Sequence, residues 1–273
     1  MRSQLNALRF AVRSAIGFRR GPPTLLQEPK QDLFDYLEVG PRKGAERRET
    51  ELRRRYELEP LLALSTRFDY RDNVYWLDAL ERLLGDRTLG QTDATSAFRV
   101  VDVGSKNFNY AFALERFFRN RVGPGRALAL VGIELDGHVI YRDWRSRCDY
   151  AEAYARQTEN PGVVYRVADF AALKGETFDV ATLLFPFVTE AALVRWGLPL
   201  RFFEPKRLLA KAIEVTPKGY LFVFSQTEAE RDALVELVAE FGVEVSTSVA
   251  IAGRLVHYHE DASERFGTLL RVH

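Results

Sequence analysis

The spacing of apolar positions changes character near residue 97. Before it, apolar residues recur at helical intervals; after it, short apolar runs alternate with helical stretches. In residues 1–20, Leu5, Leu8, Val12 and Ile16 form one stripe of a helical wheel. Arg2, Arg9, Arg13 and Arg20 form the neighbouring stripe. Gly21-Pro22-Pro23 closes this segment, because tandem prolines cannot continue a helix. Residues 24–60 are charged and uneven, and the run from Arg47 to Arg55 reads as a solvated helix face. Within residues 61–85 the set Trp76, Leu80, Leu83 and Leu84 has helical spacing. Residues 85–96 are polar and turn-rich and read as a hinge.

From Phe98 onward the pattern predicts strands near 98–103, 127–135, 163–167, 178–184 and 220–225. Helices are predicted between them, near 110–122, 138–157, 189–215 and 228–241. The helix at 138–157 has an apolar seam of Tyr141, Trp144, Cys148, Ala151 and Ala155. The region 189–215 is broken near Pro199 and Pro205. Two strands near 244–258 and 268–272 follow one another directly. Alternating strands and helices imply a mainly parallel sheet with helices on both faces. The adjacent final strands imply an antiparallel hairpin at one edge.

Composition adds limits. The net charge of +1 gives no overall pull toward nucleic acid. Cys148 is the only cysteine, so no intrachain disulfide forms and cysteine-rich metal sites are excluded. That usage fits a reducing, cytoplasmic setting. No apolar run approaches the roughly 20 residues that span a bilayer. Residues 1–27 carry five arginines and no acid. Such a helix either docks on its own domain or makes a weak contact with an anionic membrane surface through residues 1–20. His257 and His259 share a strand face, with Glu260 and Asp261 following, but lack a clear third metal ligand.

Sheets of this kind bind ligands at the carboxyl ends of their strands. There stand Asp102-Val-Gly-Ser-Lys-Asn-Phe-Asn-Tyr-Ala, Gly132-Ile-Glu134 and Ala168-Asp169-Phe170, and a turn from Pro217 to Gly219 precedes the strand that starts at Tyr220. With Phe178-Asp-Val-Ala, this order resembles class I S-adenosylmethionine-dependent methyltransferases over residues 97–272. The resemblance implies a Rossmann-like α/β domain over 96–273, with a seven-stranded sheet and a C-terminal hairpin. Residues 1–95 are then a helical extension, with Phe68, Tyr70, Tyr75 and Trp76 covering the cleft as a lid.

The same resemblance implies methyl transfer from S-adenosylmethionine to a small-molecule acceptor, small or aromatic. Asp102, Gly104, Ser105 and Lys106 fall on the cofactor loop, where backbone must approach closely. Two further family glycines fall on Lys106 and Phe108. Asn107 and Asn109 are the expected substitutes for left-handed geometry, and Lys106 the expected partner of the cofactor carboxylate. Glu134 matches the acid that accepts from both ribose hydroxyls. Asp169 matches the acceptor of the adenine amine, or caps the following helix. Phe170 lies beside the ring. Phe185, at the end of the fourth strand, falls near the methyl group or packs in the core. Two alternatives stay open: a non-catalytic binding or scaffold module with a degenerate loop, and an aminopropyltransferase suggested by Ile133-Glu134-Leu135-Asp136.

Overall fold

A computed structural model of the chain describes residues 2–89, 96–123, 125–251 and 264–273. Its sheet is built from β1 (Phe98–Val103), β2 (Leu128–Glu134), β3 (Val163–Val167), β4 (Val180–Leu184), β5 (Tyr220–Ser225), β6 (Glu244–Ala250) and β7 (Phe266–Arg271). The strand order is β3-β2-β1-β4-β5-β7-β6. The first five strands run parallel, and β7 is antiparallel to both β5 and β6. This is the Rossmann-like sheet with a C-terminal hairpin that the sequence implies.

Alternation along the strands feeds two cores. Phe98, Val100, Leu128, Leu130, Phe222 and Phe224 face one side. Val101, Val103, Val131, Ile133, Leu221 and Val223 face the other. The first side is covered by α2 (Val39–Tyr56), α4 (Arg67–Leu84), α5 (Ala111–Val122) and α6 (Arg147–Gln157). The second is covered by α8 (Pro205–Val215) and α9 (Glu228–Ala239). The remaining helices are α1 (Arg2–Ile16), α3 (Glu59–Ala63) and α7 (Glu190–Trp196). Among the described residues no helix is long and apolar enough to cross a membrane.

Helix α4 is packed into the core of the domain. Trp76 is fully buried, 5.3 Å from Phe224 and 5.4 Å from Phe185 between ring centroids. Tyr70 and Tyr75 are buried with it, while Phe68 is exposed. The apolar cluster therefore runs unbroken from α2 and α4 into the sheet. The hinge segment falls partly on residues 90–95, outside the described residues.

The helix after β2 begins at Arg147, nine residues later than the predicted start at 138. Ser146 starts it with a capping box: its hydroxyl accepts from Asp149 N, and the Asp149 carboxylate accepts from Ser146 N. Tyr141 and Trp144 lie in the preceding turn. Trp144 is exposed there at a positive φ of 61°. Strand β6 ends at Ala250, and His257, His259, Glu260 and Asp261 lie outside the described residues.

Candidate functional site

The strand order reverses between β1 and β4. Crossover connections leave there in opposite directions, so a crevice opens at the carboxyl ends. A cleft of about 540 Å³ occupies that place. Gly104, Lys106, Glu134, Asp169, Phe170 and Phe185 all line it, from four successive strand ends. That volume is in the range of small-molecule sites, roughly 300–1,000 Å³.

The turn after β1 holds a glycine-like path with few glycines. Gly104 has a φ of +76°, and Lys106 and Phe108 have φ of +53° and +59°. Lys106 and Phe108 themselves, not Asn107 and Asn109, take the left-handed geometry. Each such non-glycine residue costs roughly 1–2 kcal/mol. Tertiary contacts hold them there. The Phe108 ring is buried beneath β2, where a Cβ on Gly132 would stand 3.0 Å from it and 2.9 Å from Ser105 Oγ. Tyr165 donates to the Lys106 carbonyl at 2.7 Å. Phe108 thus fills core space and stays out of the cleft.

The loop amides are engaged within the protein. Gly104 N and Ser105 N both donate to the Ile133 carbonyl, at 2.8 and 3.2 Å. Lys106 N donates to Glu134 Oε2 at 2.9 Å. Glu134 Oε1 accepts from Asp136 N at 2.9 Å and lies 3.5 Å from Arg147 Nη1. A carboxylate has about four lone-pair sites, so these donors leave room for one more.

Arg147 is buried, and its guanidinium carbon sits 5.4 Å from the Trp196 ring centroid. Lys106 Nζ lies 5.4 Å from the same ring. Burial lowers the Lys106 pKa, opposed by the charges of Asp72 and Glu134. Trp196 therefore roofs two cations beside one carboxylate.

Asp102 and Ser105 do not reach the cleft with their side chains. Strand alternation turns Asp102 away from Val103 and toward the α4–α5 side. It accepts from Thr182 Oγ1 at 2.5 Å and from Tyr110 OH at 2.9 Å. Burial pushes its pKa up to about 6 against these donors. Ser105 Oγ donates to the Asp102 carbonyl at 2.8 Å. These two residues brace the turn.

Asp169 caps the 3-10 turn at Phe170–Ala172, with Oδ1 accepting from Ala171 N at 2.9 Å. It also faces the cleft, with Oδ2 3.9 Å from Arg207 Nη2. One residue thus both caps the turn and lines the cleft. Phe185 has a φ of +62° and packs between Trp76 and Arg265. Pro186 and Phe187 extend the apolar wall toward Trp196.

Several cleft residues escape the sequence reading. Gln226 follows β5 directly, and the strand-end rule points to it. Arg147, at the start of α6, does not line the cleft but meets Glu134 and Trp196, which do, and the longer predicted helix concealed it. Trp196 and Arg265 carry no local signal, since only the fold brings them to the cleft.

No family model and no curated protein matches the sequence. The chain path is similar to that of several solved structures. Magnesium protoporphyrin IX methyltransferase from Synechocystis, solved with bound SAH, shares 9% identity at a TM-score of 0.47, over 76% of this chain and 85% of that one. A human methyltransferase 10 domain containing protein shares 13% at 0.47, over 74% and 82%. The [4+2]-cyclase SpnF shares 16% at 0.48, over 71% and 80%. Likeness of this order concerns chain path, and the same path hosts different chemistries.

Proposed function

We propose that the cleft binds S-adenosylmethionine and transfers its methyl group to a small apolar or aromatic acceptor. The observation that carries this reading is the convergence of Gly104, Glu134, Asp169 and Phe170 on one open cleft. These are the positions that the resemblance assigns to the cofactor. The residues fit it in kind. Glu134 keeps an acceptor site for a ribose hydroxyl. Asp169 lines the cleft with a carboxylate that can accept from an amine, and Phe170 supplies an apolar wall. Lys106 supplies a cation for a carboxylate, a role the engaged amides of Gly104 and Ser105 leave to it.

Bound S-adenosylmethionine supplies an already activated methyl group. The chain's part is then to position the acceptor and exclude water. Phe185, Pro186, Phe187 and Trp76 form an apolar wall suited to a flat or apolar acceptor, with Gln226 and Arg265 as polar groups nearby. Leu184, at the end of β4, offers no polar acceptor to hold an amide nitrogen, which speaks against a DNA base or a glutamine side chain as acceptor. The open cleft, with Phe108 outside it, speaks against a plugged scaffold module.

Titration calorimetry with S-adenosylmethionine and with S-adenosylhomocysteine tests the reading. Saturable binding to the native protein is expected. No heat and no rise in melting temperature at millimolar ligand overturns it.

A further inference from the structure

Helix α1 is docked by one side only. Asn6 Nδ2 donates to the carbonyls of Val194 and Leu198 at 3.1 and 3.2 Å. Phe10 is buried against Phe202, 4.9 Å between centroids, and joins Leu193 and Leu198 in a small apolar cluster. Arg13 pairs with Asp136 at 2.6 Å. These three residues follow one helical face and bridge the segment after β2 to the segment after β4. Leu193, Leu198 and Phe202 also line the cleft, so α1 backs its outer wall.

A neighbouring face of the helix is apolar and bare. Leu5, Leu8, Val12 and Ile16 are 45%, 63%, 48% and 67% exposed. Four large aliphatic side chains on successive turns form a continuous stripe, which a soluble surface does not need. Arg9 is exposed beside it. The C-terminal end of α1 is tied to the loop before α6: Arg20 donates to the Asp143 carbonyl at 3.3 Å, and Arg145 to that of Gly21 at 2.5 Å. That loop carries the exposed Trp144 and Ile140.

The sequence left two fates for this helix, docking on its own domain or lying on a membrane. The docked face uses Asn6, Phe10 and Arg13, and the stripe takes no part in it. We infer that α1 does both, and that its outer stripe lies on an anionic lipid surface. Charge decides the partner: residues 1–27 hold no acid, and while Arg13 and Arg19 pair inward with Asp136, Asp149 and Glu152, Arg9 and Arg20 are exposed. An apolar stripe flanked by arginine matches a negatively charged interface, where acyl chains take the stripe and headgroups the cations. The 15-residue helix spans about 22 Å, so it lies in the interface plane and does not cross. A chain bound this way holds the outer wall of its cleft beside the bilayer.

Co-sedimentation of the full chain with vesicles tests this without any cofactor, so its outcome is separate from that of the proposed methyl transfer. Vesicles of phosphatidylcholine alone are compared with equal parts phosphatidylcholine and phosphatidylglycerol. Wild type should pellet with the anionic vesicles, and less so as salt rises. A Leu8→Ser, Val12→Ser double variant should partition more than about tenfold more weakly. Arg9→Gln should weaken anionic binding by about fivefold. The docked face is untouched by these changes, so circular dichroism and melting should match wild type. Equal pelleting of the double variant, or no pelleting of wild type at low salt, overturns the inference. So does a concentration-dependent dimer that the double variant abolishes in the absence of vesicle binding.

Discussion

The main-chain N–H of Lys106 donates to the carboxylate of Glu134 at 2.9 Å, across 28 residues of sequence. This bond closes the turn after β1 onto the end of β2, so one carboxylate both shapes the loop and faces the cleft. Arg147 depends on the same group. Glu134→Ala should therefore cost about 3–5 kcal/mol of stability, because it leaves the buried guanidinium uncompensated. It should also remove the rise in melting temperature caused by S-adenosylmethionine. Glu134→Gln keeps an acceptor for Lys106 and separates the two roles. Its affinity for S-adenosylmethionine should fall about tenfold, with a smaller stability loss than in the alanine variant. Urea denaturation and titration calorimetry read the two quantities.

Lys106 offers the converse separation. Its φ of +53° suits glycine, and its ammonium lines the cleft. Lys106→Gly should change stability by no more than about 1 kcal/mol, since relief of the left-handed strain offsets the greater freedom of the unfolded chain. Affinity for S-adenosylmethionine should fall by about tenfold or more, the usual worth of a hydrogen bond to a charged group. Unchanged affinity removes Lys106 from the ligand contacts.

Gly132 is needed for the space it leaves. An alanine methyl would meet Ser105 Oγ at 2.9 Å and the Phe108 ring at 3.0 Å. Both lie in the turn that shapes the cleft. Gly132→Ala should destabilise by about 1–3 kcal/mol, as overpacking does. A melting temperature equal to wild type would show that Phe108 can shift freely.

Asp72 gives a dependence on pH. It is buried on α4, accepts from Asn109 Nδ2 at 2.8 Å, and burial pushes its pKa up to about 7. The Asn109 bond and Lys106 oppose that shift, and Asp69 adds to it. An unfolded aspartate titrates near 3.9. Between these values the folded state holds a proton that the unfolded state has released, so this contribution to stability falls as pH rises from about 4 through about 7. Asp72→Asn cannot titrate and keeps an acceptor for Asn109. Its stability advantage over wild type should grow across that window and level off above it, at on the order of 2–4 kcal/mol. Parallel stability curves for the two proteins would sink the assignment.

The alternation of short apolar runs with helical stretches made the sheet legible, and the turn signals bounded β5 at Tyr220–Ser225 as the structure has it. Strand ends led to Gly104, Glu134, Asp169, Phe170 and Phe185, and all five line the cleft. Asp102 was a candidate by position, but its side chain points into the α4–α5 side, which strand parity alone already implies. The predicted helix at 138–157 exceeds α6 at its start because Tyr141 and Trp144 happen to continue its apolar spacing. The local signal against it was Ser146 followed by Asp149, a capping pair.

Periods of two and 3.6 residues are local, and the sequence by itself determined with them the order of strands and helices, the parallel sheet and the strand ends where ligand contacts gather. Tertiary structure alone decided how far each side chain is already spent. The bonding of Glu134 to Lys106 and Arg147, the seating of Trp196 over two cations, and the docking of α1 through Asn6, Phe10 and Arg13 all join residues distant in the chain. Such contacts depend on where packed elements bring side chains in space, and no repeat or spacing along the chain encodes that meeting.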